Sequence, residues 1–169
     1  GGLRISGDYA ELGPFSPSGR YISIGNGDIS VWDVTTGKPA WWWKPEARTT
    51  SWAFSPSWRA CAVASEKGVI EIVSPATNGV EQRLRGHVGG GGLWSGAQCI
   101  VWHGEQLLAS ASNGDRTARI WRLPDGKQIW EYRIEESPNK AFFFGPEAIV
   151  FDPVKPRAWT GVKIGRAHV

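Results

Sequence analysis

Short runs in which apolar and polar residues alternate recur along the whole chain, punctuated by Gly, Pro, Asn and Asp. Alternation with a period of two marks strands that bury one face, and no stretch carries the 3.6-residue period of a helix. The chain is therefore expected to be all-β. In the first unit Phe15 closes one strand, and Ser16-Pro17-Ser18-Gly19 supplies turn chemistry, because Pro fixes φ and Gly tolerates φ > 0. Tyr21, Ile22 and Ile24 begin a second strand, and Asn26-Gly27 is a strong hairpin signal. Ile29 and Val31 alternate with Ser30 and Trp32 as the third strand. Thr35-Thr36-Gly37-Lys38 turns the chain into an outer strand at Ala40–Trp43, ended by Pro45.

This four-strand pattern repeats. The second unit predicts strands at Thr50–Phe54, Cys61–Ala64, Val69–Val73 and Val80–Leu84, and the third at Cys99–Trp102, Leu107–Ser112, Ala118–Leu123 and Gln128–Arg133. A truncated fourth supplies Ala148–Phe151 and Ala158–Val162. Trp32, Val73 and Trp121 hold one position in the pattern, 41 and then 48 residues apart. A period in that range with several short strands per unit is the signature of a β-propeller built of four-stranded antiparallel blades. The expected blades span about 8–46, 47–86, 87–135 and 136–162. About three and a half blades make an incomplete ring, since the smallest propellers close with about four; the chain is expected to be a fragment of a longer propeller or, if complete, to self-associate to cover its end blades. The longer second spacing comes mostly from a glycine-rich insertion, Val88 to Gly96, between His87 and Val101. Phe142-Phe143-Phe144, in the irregular link to the fourth unit, is expected to be buried as a strand.

Composition adds limits. The 169 residues include 11 Trp and no Met, so residue 1 is expected to follow further sequence or a processing site. Lys163–Val169 fits no element of the repeat; it resembles read-through into adaptor or vector sequence, the alternative reading being a native, frayed tail. The net charge of +3 owes much to that tail, and no basic stripe of the kind that binds nucleic acid is present. Cys61 and Cys99 lie in apolar strand contexts and read as small buried hydrophobes rather than a disulfide or metal framework. No apolar run approaches the roughly 20 residues of a membrane span.

The motifs together resemble the WD-repeat family. Val31-Trp32-Asp33 matches its naming dipeptide, Gly86-His87 its opening pair, Phe15 to Gly19 its first turn, and Leu108-Ala-Ser-Ala-Ser112 its second strand. The resemblance covers roughly Tyr9 to Val162. It implies a buried hydrogen-bond network in the third unit from His87, Ser110 or Ser112, Asp115 and Trp121. Trp32 and Asp33 stand at the matching place in the first unit, which has Asn26 at the Asp position and no His, while the second unit is degenerate, with Lys67 and Val73. These residues are read as structural, not catalytic. The resemblance also implies an intracellular interaction scaffold that needs no cofactor. A second, local likeness is to quinoprotein propellers. Asp33-Val-Thr-Thr-Gly-Lys-Pro-Ala-Trp41 resembles their tryptophan-docking motif, which would imply pyrroloquinoline quinone, calcium and oxidation of an alcohol or sugar.

No nucleophile elbow and no phosphate loop occurs, and His87, His103 and His168 are scattered, so the chain is not expected to be an enzyme. What remains is binding surface. In Trp41-Trp42-Trp43 the middle ring must face away from its neighbours, either under an adjacent blade or exposed as an anchor for a partner. Hairpin residues Asn26, Asp28, Glu66, Lys67, Asn113 and Arg116 are expected on one face of the propeller. Their mixed charge favours a protein or peptide partner over a polyanion. Arg119 and Arg122 straddle Trp121 and are not expected to form one patch with Arg116.

Overall fold

The computed structural model describes residues 10–90 and 95–133, with backbone alone for Asn26 and for two further strands. Three four-stranded sheets follow one another. The first contains β1 (Glu11–Phe15), β2 (Tyr21–Asn26), β3 (Asp28–Asp33) and β4 (Lys38–Trp43). The second contains β5 (Thr49–Phe54), β6 (Cys61–Ser65), β7 (Val69–Ser74) and β8 (Gly79–Arg85). The third contains β9 (Cys99–His103), β10 (Leu107–Ser112), β11 (Thr117–Arg122) and β12 (Lys127–Arg133). Strands β13 (Ala148–Phe151) and β14 (Ala158–Gly161) form a fourth, two-stranded piece. Every sheet is an antiparallel meander with strands in chain order, and no helix occurs among the described residues. Phe142–Phe144 and Lys163–Val169 lie outside the described residues, as do Gly91–Trp94 of the insertion.

The repeat extends to register. Trp32 faces Ile22, Val73 faces Cys61 and Trp121 faces Leu108 across the second and third strands. Each sheet slips its pairing between third and fourth strands at the same step: Val31/Trp32, Ile72/Val73 and Ile120/Trp121. A bulge adds local twist, so all three sheets turn their outer strands alike.

The core lies between sheets. Ile29 and Val31 of the first pack on Phe54, Cys61, Val63 and Val73 of the second. On its opposite face the second sheet packs Ala62, Ala64, Ile70, Ile72 and Leu84 against Ile100, Leu108 and Trp121 of the third. A strand covered on both faces should be apolar without alternation, and β6 begins Cys-Ala-Val-Ala, buried throughout. Strand β3, with one face covered, alternates instead. The far face of the third sheet gathers Ala109, Ala111 and Ala118, and β13 lies beside β9 and β10. Trp52 fits against the first sheet only because Gly25 has no side chain; a Cβ there would overlap the indole.

Candidate functional site

The third sheet holds the densest set of buried polar groups among the described residues. Trp121, 2% exposed, is brought over Ser110 by the antiparallel register of β10 and β11. Its Nε1 donates to Ser110 Oγ at 2.8 Å, and Ser110 Oγ lies 2.7 Å from His87 Nε2. With the indole as donor, the serine O–H points to His87 Nε2, which must accept. The imidazole proton then sits on Nδ1 and is donated to Asp115 Oδ2 at 3.0 Å. The Val88 amide donates to the same oxygen at 2.9 Å. Thr117 donates to Asp115 Oδ1 through its hydroxyl at 2.6 Å and its amide at 3.0 Å. Arg119 Nε donates to Thr117 Oγ1 at 3.0 Å, and its Nη1 donates to Gln128 Oε1 at 3.1 Å.

Burial pushes the Asp115 carboxyl up, but hydrogen bonds from His87 and Thr117 and the amide of Val88 outweigh it and hold it well below the usual carboxylate range. Gly86 is part of the design: a Cβ there would overlap the Arg119 guanidinium and come within 2.9 Å of Trp121. His87 is 6% exposed. The hydrogen-bonding groups of His87, Ser110, Asp115, Thr117 and Trp121 are taken up by one another within the sheet.

The expected network residues separate into two groups. His87, Ser110, Asp115 and Trp121 come together. Ser112, the alternative to Ser110, is buried with its hydroxyl unpartnered. Trp32 stays outside any such relay, because Ile24 stands at the Ser110 position; its Nε1 donates to Ser30 Oγ at 3.0 Å. Asp33 ties down the β3–β4 turn. The Thr35 hydroxyl donates to Oδ1 at 2.6 Å, the Thr35 amide at 2.8 Å, and Arg20 Nε donates to Oδ2 at 2.9 Å. These contacts, led by the Thr35 hydroxyl, outweigh desolvation and lower the Asp33 carboxyl to about 2. Arg119 was not expected as a member. Its signal was the spacing Thr117-x-Arg119-x-Trp121, which puts all three on one face of a strand.

The hairpin residues do share one edge of the stack, where the sheet-to-sheet connections also run. Thr49 Oγ1 donates to Gly27 O at 3.1 Å, Arg48 pairs with Glu66 at 3.0 Å, and the Gly90 amide donates to Glu66 O at 3.3 Å. Asp28 is half-buried and Lys67 exposed. Lys67 lines a cleft of about 220 Å³ with Glu46, Glu71, Arg83 and Arg85. Asn113 is half-buried, its amide donating to Gln98 Oε1 at 2.7 Å, and Arg116 adopts φ 56° at the tip of the β10–β11 hairpin. The Asn26 side chain lies outside the described residues. Trp42 is not on this edge. It projects from the first sheet's face away from the second and is 62% exposed, whereas Trp41 and Trp43 pack inward. Arg122 is exposed and paired with Asp125, while Arg119 is buried, so they form no common patch.

Among the described residues no group of three or more His, Cys, Asp or Glu is placed to hold a metal ion, and no helix is long and apolar enough to cross a membrane. Compared with known proteins, the chain matches no protein-family model and no curated protein.

Proposed function

We propose that the chain is part of a WD-repeat-like β-propeller that serves as a non-catalytic scaffold for a protein or peptide partner. The observation that carries this reading is the His87–Ser110–Trp121–Asp115 relay, set in a four-stranded meander whose register recurs in two more sheets. A relay that consumes its own donors and acceptors holds a platform rigid and leaves recognition to the hairpin edge. Glu66, Lys67, Asn113 and Arg116 stand on that edge in mixed charge.

The test is a peptide array probed with the whole chain and with a Lys67→Glu, Arg116→Glu double variant. Sequence-dependent binding that the double variant loses is the expected result. Binding indifferent to sequence, or unchanged in the variant, counts against the hairpin edge as the recognition surface.

One observation favours the quinoprotein-like alternative. Trp41 docks on the second sheet, edge-on to Phe54 at 5.9 Å, with its Nε1 donating to Asn78 Oδ1 at 3.0 Å. That reading requires pyrroloquinoline quinone with calcium to bind and develop a cofactor absorbance. The scaffold reading expects the chain's spectrum to be unchanged by them.

A further inference from the structure

Opposite the hairpin edge, each pair of neighbouring sheets leaves a cleft, and the two clefts are built from equivalent positions. Between the first and second sheets the lining includes Tyr21, Trp41, Phe54, Trp58, Arg59 and Glu81, around about 670 Å³. Between the second and third it includes Gln82 where the first has Trp41, Trp102 where it has Phe54, and the carboxylates Glu81 and Glu105, around about 250 Å³. One cleft is aromatic and the other acidic. They share Ala60 and Glu81, so they form one continuous surface.

The aromatic cleft carries a mark of its own. The turn between the first two strands of the first sheet has a left-handed corner filled by Gly19 (φ 70°), whose amide donates to Ser16 O at 2.8 Å. In the second the same corner holds Trp58, at φ 61°. A bulky side chain is disfavoured there, yet the indole is held face to face on Phe54 at 4.3 Å and 16°. The cost of that backbone puts one more ring in this cleft.

We propose that the two clefts together bind an extended basic peptide segment, with one lysine or arginine over the aromatic rings and a second beside Glu81 and Glu105. The ring faces carry negative quadrupole charge and attract cations. Glu105 is fixed in place by the Ser57 amide, which donates to its Oε1 at 2.8 Å. Among the described residues lining the two clefts Arg59 is the one cation, and it is exposed at the rim. Two carboxylates against one rim arginine, on a chain of net charge +3, make this edge locally complementary to a cation. Packed sheets lie about 10 Å apart, the rise of roughly three residues of an extended polyproline-II segment, whose three-residue period keeps every third side chain on one face. The two basic residues are therefore expected three positions apart.

The proposal rests on the reading of the chain as a peptide-binding scaffold, and the experiment separates the two. Fluorescence anisotropy would follow labelled ten-residue peptides titrated with the whole chain: one with Lys at positions 4 and 7, one with Glu there, and one with adjacent lysines. The Lys-x-x-Lys peptide is expected to bind best and the Glu peptide not at all. Trp58→Gly installs the residue that the first sheet uses at this corner and is expected to fold; it should weaken binding about tenfold. Glu81→Gln should weaken it severalfold, and Arg59→Ala should strengthen it.

Equal binding of the Lys and Glu peptides, preference for a proline-rich control, or indifference to both Trp58→Gly and Glu81→Gln would overturn the proposal. If the array peptides bind through the hairpin edge and the Lys-x-x-Lys peptide does not, the proposal falls and the scaffold reading stands. If neither binds, both fall.

Discussion

Where the third sheet places Ser110, the second places Val63, and where the third has Trp121 the second has Val73. Lys67 takes the place of Asp115, and Glu71 that of Arg119. At the Ser110 and Trp121 sites, where the third sheet has buried polar groups, the second has buried valines sandwiched between neighbours. Val63 and Val73 are 1% and 0% exposed, and burial of each is worth about 1.5–3 kcal/mol. Each relay hydrogen bond is worth only about 1 kcal/mol net, but losing one partner strands the rest. The apolar sheet degrades gradually under substitution, while the relay fails as a unit. Two sheets can share the register of their central strands and still differ in how they break.

The largest effect is expected at the relay. His87→Ala leaves Asp115 without its imidazole partner and Ser110 without an acceptor, and should cost about 3 kcal/mol in urea unfolding of the whole chain. A cost below about 1 kcal/mol would mean that the relay does not lock the third sheet. Next in size is the reverse exchange: Val63→Ser puts an unpartnered hydroxyl and a small void into an apolar interface, for about 2 kcal/mol. If that variant proves more damaging than His87→Ala, the ranking of polar over apolar lock is inverted.

Acid sharpens the contrast further. Asp33 is lowered to about 2 in the folded chain from an ordinary value near 3.8, so its contribution is complete above about pH 4 and is lost as pH falls toward 2. Asp115, also held low, acts in the same sense. The second sheet has Ser74 and Lys67 at these positions. Amide hydrogen exchange, taken relative to its intrinsic rate at each pH, should therefore accelerate between pH 4 and 2 in β3 and β11 before β7, and Asp33→Asn should remove the β3 step. Uniform acceleration in all three strands would refute this order.

The smallest effect is expected at the surface. Glu71, at the Arg119 position, pairs with Arg83 at 2.9 Å, the two side chains 14% and 45% exposed. Glu71→Gln should lower the unfolding free energy in urea by no more than about 0.5 kcal/mol. A larger shift would place part of the second sheet's stability outside its apolar core.

The strands were legible in the sequence because alternation and turn residues are local properties, and the observed boundaries lie within one residue of the expected ones at nearly every described strand. The relay was legible down to a choice between Ser110 and Ser112, which spacing leaves open because both point to one face of β10. Register decided it, by bringing Trp121 over Ser110. The exposure of Trp42 could not be read from alternation, which separates it from Trp41 and Trp43 without saying which face is covered. The clefts were missed although one signal was present. Aligning Ser16-Pro17-Ser18-Gly19 with Ser55-Pro56-Ser57-Trp58 shows a tryptophan at a glycine corner, but its meaning depends on φ and on Phe54 beneath it.

Cys61 sits in the first interface with no exposed surface, and burial pushes its thiol well above the ordinary range. It becomes nucleophilic only when the first two sheets part, since the thiolate is the reactive form. Its alkylation rate is thus a clock for opening of that one interface, with the half-buried Cys99 on the far face of the third sheet as a reference within the same molecule. Loosening the relay should leave the clock unchanged if sheets open one at a time, and quicken it if they open together.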